Sequence, residues 1–326
     1  MASKGFDKKC KWVFIFIYLL VFGAYGFAKD AISVYVENDS RMLKPFHKTD
    51  RHYTHGTKLV YLTRPDWEWL GDFTNWRAAE PGEDVETAVG YFLGQNIYTP
   101  DHPDNPPKRN PEDMVFAGWL YTGIFAQRAT NHILEHFEFN VGVIGPSSKA
   151  EQVQSCIHSI LNSNESIGWD DQLADELAVD VSYMRKQRLL GGWFEPTEKT
   201  DVIAEYGFTA GSVHRHVQAG VTFRYGFNLG NTFGPGRLSL PAGISALRAS
   251  DAKSGYLFAR AGAKAVEYNR FLTGLDTEPL VGEFQVGAVY QCNKLELGYS
   301  QTFFTREFGE QSGKDSIGAI TITYRF

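Results

Sequence analysis

The sequence predicts an all-β protein: a twelve-stranded antiparallel transmembrane β-barrel with a short helix in an extracellular loop. Three observations carry that expectation. Apolar and polar residues alternate over segments longer than the usual strand of a soluble domain, glycines and charges fill the polar face, and the chain ends on an aromatic strand closed by Phe326. The alternation is plainest where Val217, Ala219, Val221, Phe223, Tyr225, Phe227 and Leu229 fall on one face and His216, Gln218, Gly220, Thr222, Arg224, Gly226 and Asn228 on the other. One face suits lipid and the other water. Soluble sandwiches alternate too, so segment length and the terminal aromatic strand decide between them.

The basic start MASKGFDKKCK runs into the apolar stretch WVFIFIYLLVFGAYGFA, with small residues at Gly26 and Ala28. That pattern predicts a signal peptide over residues 1–28 and a single barrel domain over 29–326, in preference to an N-terminal anchor. No later apolar run is long enough for a membrane-spanning helix, which excludes a helical bundle but not a barrel. The net charge of −6 speaks against a nucleic-acid partner. Loss of the signal removes Cys10 and leaves Cys156 and Cys292, so a disulfide framework is not expected to hold the fold. Whether those two pair is left open.

Twelve alternating segments follow in order: 31–38 (Ile32, Val34, Val36), 55–63, 86–97, 114–126, 132–144 (Phe137, Phe139, Val141, Val143), 173–186, 200–210 (Val202, Ala204, Tyr206, Phe208), 213–229, 255–268, 280–291, 294–306 (Leu295, Leu297, Tyr299) and 315–326 (Ile320, Ile322, Tyr324). An even number places both chain ends on the periplasmic side. Connections after odd strands then lie at the outer rim: 39–54, 98–113, 145–172, a turn near Gly211, 269–279 and 307–314. The connection from Arg64 to Val85, with Trp67, Trp69 and Trp76, is long for an inner turn and reads as an interfacial belt. A twelve-stranded lumen is narrow enough for side chains to fill. The last strand resembles the C-terminal strand of bacterial outer-membrane barrels, which implies insertion by the barrel assembly machinery among outer-membrane lipids.

Chemistry gathers at the outer rim. The first strand ends in VYVENDS, where Asn38 and Asp39 offer hard oxygen donors, and TDRHYTHG adds Asp50 and Thr54, so a calcium ion is chemically possible there. A capped strand end is the bland alternative, since no Asp-x-Asp-x-Asp-Gly loop is present. In the third outer connection Gly145-Pro146-Ser147-Ser148 breaks the strand, and Val153, Ile157, Ile160 and Leu161 recur at helical spacing. Gln154 and His158, four apart, project from one edge of that helix beside its apolar face, which is expected to hold the helix against the barrel. His158 can act as a general base if it is oriented, with Gln154 holding ring or substrate; otherwise the pair simply meets water. Lys108 and Arg109, after HPDNPP, are two cations able to grip an anionic head group or to be solvated. His214 and His216 share a strand face but are too few for a transition-metal site.

The ordered set VENDS, TDRHYTHG, QNIYTP, AGWLYTG, NVGVIGPSSKAEQVQSCIHSI and GWDDQL resembles the lipid A 3′-O-deacylase family of Gram-negative outer membranes, over Ile32 to about Leu173. The second half agrees only in strand rhythm and the terminal strand. The resemblance implies a calcium-dependent site between the barrel wall and a loop helix, open to the outer leaflet, with lipid A of lipopolysaccharide as substrate. By that resemblance Asp39 and Asn38 hold Ca2+ and Asn38 belongs to the catalytic group. His158 activates water, Gln154 and Thr54 orient water or substrate, and Tyr53, Lys108 and Arg109 bind substrate, the basic pair at the head group. The chain departs from the family pattern where Met114, Val115 and Phe116 stand in place of a frequent arginine, and at His55. A serine-dependent barrel phospholipase and a non-enzymatic small channel or structural barrel are the rival readings.

Overall fold

The two-residue period makes strands, and the membrane makes the strands close, because an open edge would leave unpaired backbone groups in hydrocarbon. The computed structural model describes residues 30–39, 50–65, 85–101, 110–161, 163–229, 232–234 and 253–326. Twelve antiparallel strands form a closed barrel: β1 (Ala31–Asn38), β2 (His52–Thr63), β3 (Glu86–Thr99), β4 (Ala117–Ala129), β5 (Ile133–Ile144), β6 (Glu176–Arg188), β7 (Thr200–Gly211), β8 (His214–Phe227), β9 (Ser254–Asn269), β10 (Leu280–Cys292), β11 (Leu295–Phe304) and β12 (Ser316–Arg325). Each strand pairs with its sequence neighbours, and β1 closes on β12 from Ala31 opposite Arg325 to Asn38 opposite Gly318. One α-helix, α1 (Ala150–Leu161), interrupts the connection between β5 and β6. Among the described residues no helix is long and apolar enough to cross a membrane.

Strand order and parity match the sequence expectation, with two shifts of consequence. β2 begins at His52, so Tyr53 and Thr54 lie in the strand rather than before it, and β4 begins at Ala117, leaving Met114 and Phe116 as buried residues of the preceding loop. The tryptophan-bearing inner connection lies largely outside the described residues. Cys292 carries a free thiol, so it does not pair with Cys156.

The two faces of β8 show how the wall works. Val217, Val221, Phe223 and Tyr225 are 46–58% exposed on the outside, whereas inward-facing Arg224 is fully buried. Large apolar residues open to the surroundings recur around the barrel, including Phe137, Phe208, Leu257, Phe284 and Ile320, and such a band is stable only against lipid. The lumen is lined by paired charges. Lys58 meets Glu138 at 3.3 Å, Arg260 bridges Glu205 (2.6 Å) and Glu283 (2.8 Å), and Lys264 adds a second contact to Glu283 at 2.8 Å. Nearer the inner rim Arg188 and Arg224 both hold Asp201. Buried charges are tolerated because each has its counterpart, and removing one partner would leave the other stranded.

Candidate active site on the outer wall

Helix α1 lies against the outside of the barrel, not over its mouth. Gly145 (φ 101°) ends β5, a 3-10 turn spans Pro146–Ser148, and Lys149 (φ 61°) turns the chain into the helix. Ser147 donates its N–H and its hydroxyl to Asp175, each at 2.7 Å, and Gln95 of β3 donates to the Ser148 carbonyl at 2.7 Å. Beneath, Gly118 of β4 has no room for a side chain: a Cβ would stand 2.1 Å from Ser148 Oγ and 2.2 Å from Ala150 Cβ. Ile97, Phe116, Ala150 and Trp169, with Val153, form the apolar pad between wall and helix. Gly118→Ala is therefore expected to push the helix off its seat and lower activity about 100-fold, as a misplacement near 1 Å does. Hydrolysis assays on a barrel that still shows heat-modifiable migration check this.

The helix seats on its apolar edge, as its pattern predicts, and on the polar pair beside it as well. Gln154 and His158 face the wall at 3% and 8% exposure, while Ile160 is 64% exposed; of the apolar edge, Val153 packs on the pad. Among the described side chains of the helix, Glu151, Ser159 and Ile160 are exposed, and the polar pair is sheltered between helix and barrel.

A β-bulge builds the other wall of this cleft. On β1, Asn38 shares the outward face with Ile32, Val34 and Val36. In β2 the register slips between Tyr53 and His55. Thr54 is thereby set against Thr99, with the two hydroxyl oxygens 2.6 Å apart, and Tyr53 is turned into the lumen against Tyr98, ring centroids 5.5 Å apart. Asn38 Nδ2 (2.9 Å) and the Asp39 N–H (3.2 Å) both donate to the Thr54 carbonyl. Asp39 Oδ2 accepts the Arg51 N–H at 2.7 Å.

Across the cleft, His158 is fixed at both nitrogens. Nδ1 donates to the Asn164 carbonyl at 2.6 Å, and Nε2 lies 2.7 Å from Asp50 Oδ2. Gln154 Nε2 reaches the same carboxylate oxygen at 3.4 Å, and its Oε1 accepts the Trp169 indole N–H at 2.9 Å. The hydrogen bond that His158 donates to Asp50 raises the His158 pKa above the ordinary 6.5, against the opposing effect of partial burial, and Asp39 adds to the rise through its charge.

The structure thus joins Gln154 and His158 through Asp50, and Asn38, Asp39 and Thr54 through the Thr54 carbonyl, with Asp39 close enough to act on His158 by its charge while also lining the lumen cavity. Tyr53, expected to touch substrate, is turned by the bulge into the lumen cavity that Asp39 also lines. Lys108 and Arg109 lie outside the described residues. Asp50, read from sequence as an extra oxygen ligand, is committed to His158. The pattern missed three partners: Thr99 behind Thr54, Asn164 behind His158 and Trp169 behind Gln154. Trp169 lies in the GWDDQL segment, where a tryptophan directly after a glycine was the available signal.

Among the described residues no three His, Cys, Asp or Glu side chains gather as a metal cluster. The donors beside His158 are an amide, a carboxylate, a hydroxyl and backbone carbonyls from Asn38, Asp39 and Thr54. An all-oxygen set of this kind fits a hard cation such as Ca2+ and not a soft transition metal. The Asp180–His214 contact (2.9 Å) is a poor start for a serine hydrolase. Asp180 also accepts the backbone N–H groups of Val213 and His214, capping the β7–β8 turn, and the pair lines the lumen rather than the lipid face.

Comparison with known proteins agrees with this architecture. The family model described as "Outer membrane protein LpxR" matches residues 13–326. The solved structure of LpxR from Salmonella typhimurium superposes with a TM-score of 0.74 at 21% identity, covering 91% of this chain and 100% of that one. The translocator domain of the autotransporter NalP from Neisseria meningitidis matches with a TM-score of 0.44 at 12% identity, covering 97% and 95%. No curated protein matches the sequence.

Proposed function

The chain belongs to the LpxR family of outer membrane proteins, and on that premise we propose that it is a calcium-dependent lipid A deacylase that hydrolyses 3′-O-linked acyl chains in the outer leaflet. The observation that carries the reading is the place of His158. It is an imidazole held by Asp50 and Asn164 on the helix that packs on the outer wall, near enough to Asp39 to feel its charge.

Ester hydrolysis needs a base for water and stabilisation of the oxyanion. The Asn164 carbonyl keeps the proton on Nδ1 of His158, and Nε2, held at 2.7 Å by Asp50 here, takes a proton from water once Asp50 gives way to that water and the ring is neutral. The resulting hydroxide adds to the acyl carbonyl. His158 then returns the proton to the sugar oxygen as the ester bond breaks, giving a free fatty acid and a sugar hydroxyl. Gln154, fixed by Trp169, orients water or substrate, and the Thr54 hydroxyl lines the opposite side. Asp39 and Asn38 would hold calcium, whose Lewis acidity supplies charge stabilisation at the carbonyl oxygen. Lys108 and Arg109 would meet the head-group phosphate. Purified protein incubated with lipid A should release fatty acid with calcium and none with a chelator; release that ignores the chelator would remove calcium from the account.

The Asp50 contact predicts the pH dependence. A raised His158 pKa delays the neutral, basic form, so the acid limb of the rate profile lies above pH 6.5. Asp50→Asn withdraws the charge and should move that limb to lower pH while reducing the plateau through looser orientation. The stability contribution has the opposite sense: the Asp50–His158 pair stabilises the helix seat below the unfolded histidine pKa, and this is lost as pH rises through the folded value. An acid limb unchanged in the variant would contradict the pairing.

A further inference from the structure

Between Asp50 and the body of β2 lie Arg51 and His52, whose side chains point away from His158. His52 is 2% exposed and adopts φ 56°, a left-handed conformation that a residue with a Cβ keeps only when its surroundings hold it. Its Nδ1 is 2.6 Å from Asp315 Oδ2, its Nε2 is 3.3 Å from Asp113 Oδ1, and its ring edge meets Phe308 at 5.2 Å. Arg51 Nε is 3.2 Å from Asp315 Oδ1, one terminal nitrogen is 3.7 Å from Asp101, and the other donates to the Ser312 carbonyl. Ser312 Oγ donates to Asp101 at 2.7 Å, and the Asp101 N–H donates to Asp113 at 2.9 Å. One dipeptide therefore ties together the outer connections that follow β1, β3 and β11.

The same dipeptide reaches the catalytic cleft through its backbone. The Arg51 N–H fixes the Asp39 carboxylate at 2.7 Å, and the left-handed turn at His52 sets the direction in which Asp50 leaves the strand toward His158. We propose that Arg51 and His52, held by Asp315, are positioning residues that place Asp39 and Asp50 for the reaction; this rests on the deacylase reading of the cleft. The rival role is a staple over the seam where β1 meets β12. A staple would affect unfolding temperature and leave turnover alone, whereas a positioning clamp affects turnover in a barrel that is still folded.

Asp315→Asn separates the two, because the Asp315 carboxylate bonds to Arg51, His52 and Gln311 and to no residue of the cleft. On purified protein with lipid A, Asp315→Asn is expected to lower kcat about tenfold with KM within about twofold. Arg51→Ala should do the same, and the double variant should be no slower than Arg51→Ala alone, since both break one clamp. Independently of activity, amide exchange over residues 37–39 and 50–54 should quicken in Asp315→Asn. Unchanged kcat, a loss confined to KM, multiplying losses in the double variant, or unchanged exchange would each overturn the proposal. A wild-type protein that releases no fatty acid would instead overturn the deacylase reading, with the exchange measurement still deciding the clamp.

Discussion

His158→Ala is expected to reduce deacylation by about 10²–10⁴-fold, the range that a positioned acid–base group supplies. The loss should fall on kcat, because the imidazole acts on water rather than on the acyl chain or head group. The barrel should survive: α1 keeps its seat through the Gly118 contact, the Gln95–Ser148 hydrogen bond and the apolar pad, none of which includes His158. Unaltered heat-modifiable migration alongside lost hydrolysis is the expected pair of results. A variant with near wild-type turnover would move the base elsewhere in the cleft.

The second large effect is expected at Asp39. Asp39→Asn keeps the shape and leaves an acceptor for the Arg51 N–H, while removing the formal charge that a cation would meet. Loss of the proposed electrophile should cost about 10²–10³-fold, and more calcium should be needed for half-maximal activity. Because Asp39 also helps to raise the His158 pKa, the residual activity should have its acid limb at slightly lower pH. A variant that lost activity with no change in calcium requirement would leave Asp39 as a shape-giving residue only.

The barrel was legible in the sequence because a two-residue period is a local property and lipid outside reads the same at every strand. Parity alone placed Asn38, Asp39 and the Gln154–His158 helix at one rim. Two features escaped for physical reasons. A bulge inserts one residue without changing composition, so the pattern could not tell that Thr54 would meet Thr99 on the wall while Tyr53 turned inward. The helical spacing put Val153 against the barrel but not the covering of Gln154 and His158 beside it, which depends on how the connection folds back. The long-range partners Asp50, Asn164 and Trp169 depend on how the connections fold back, which no spacing encodes.

Lipid A mass spectra from cells expressing the wild-type protein and His158→Ala test the central claim most directly. The account predicts loss of the 3′-linked acyl mass with the wild-type protein and intact lipid A with the variant, both chains being present as folded outer-membrane barrels. Intact lipid A in both, or equal loss in both, would contradict it.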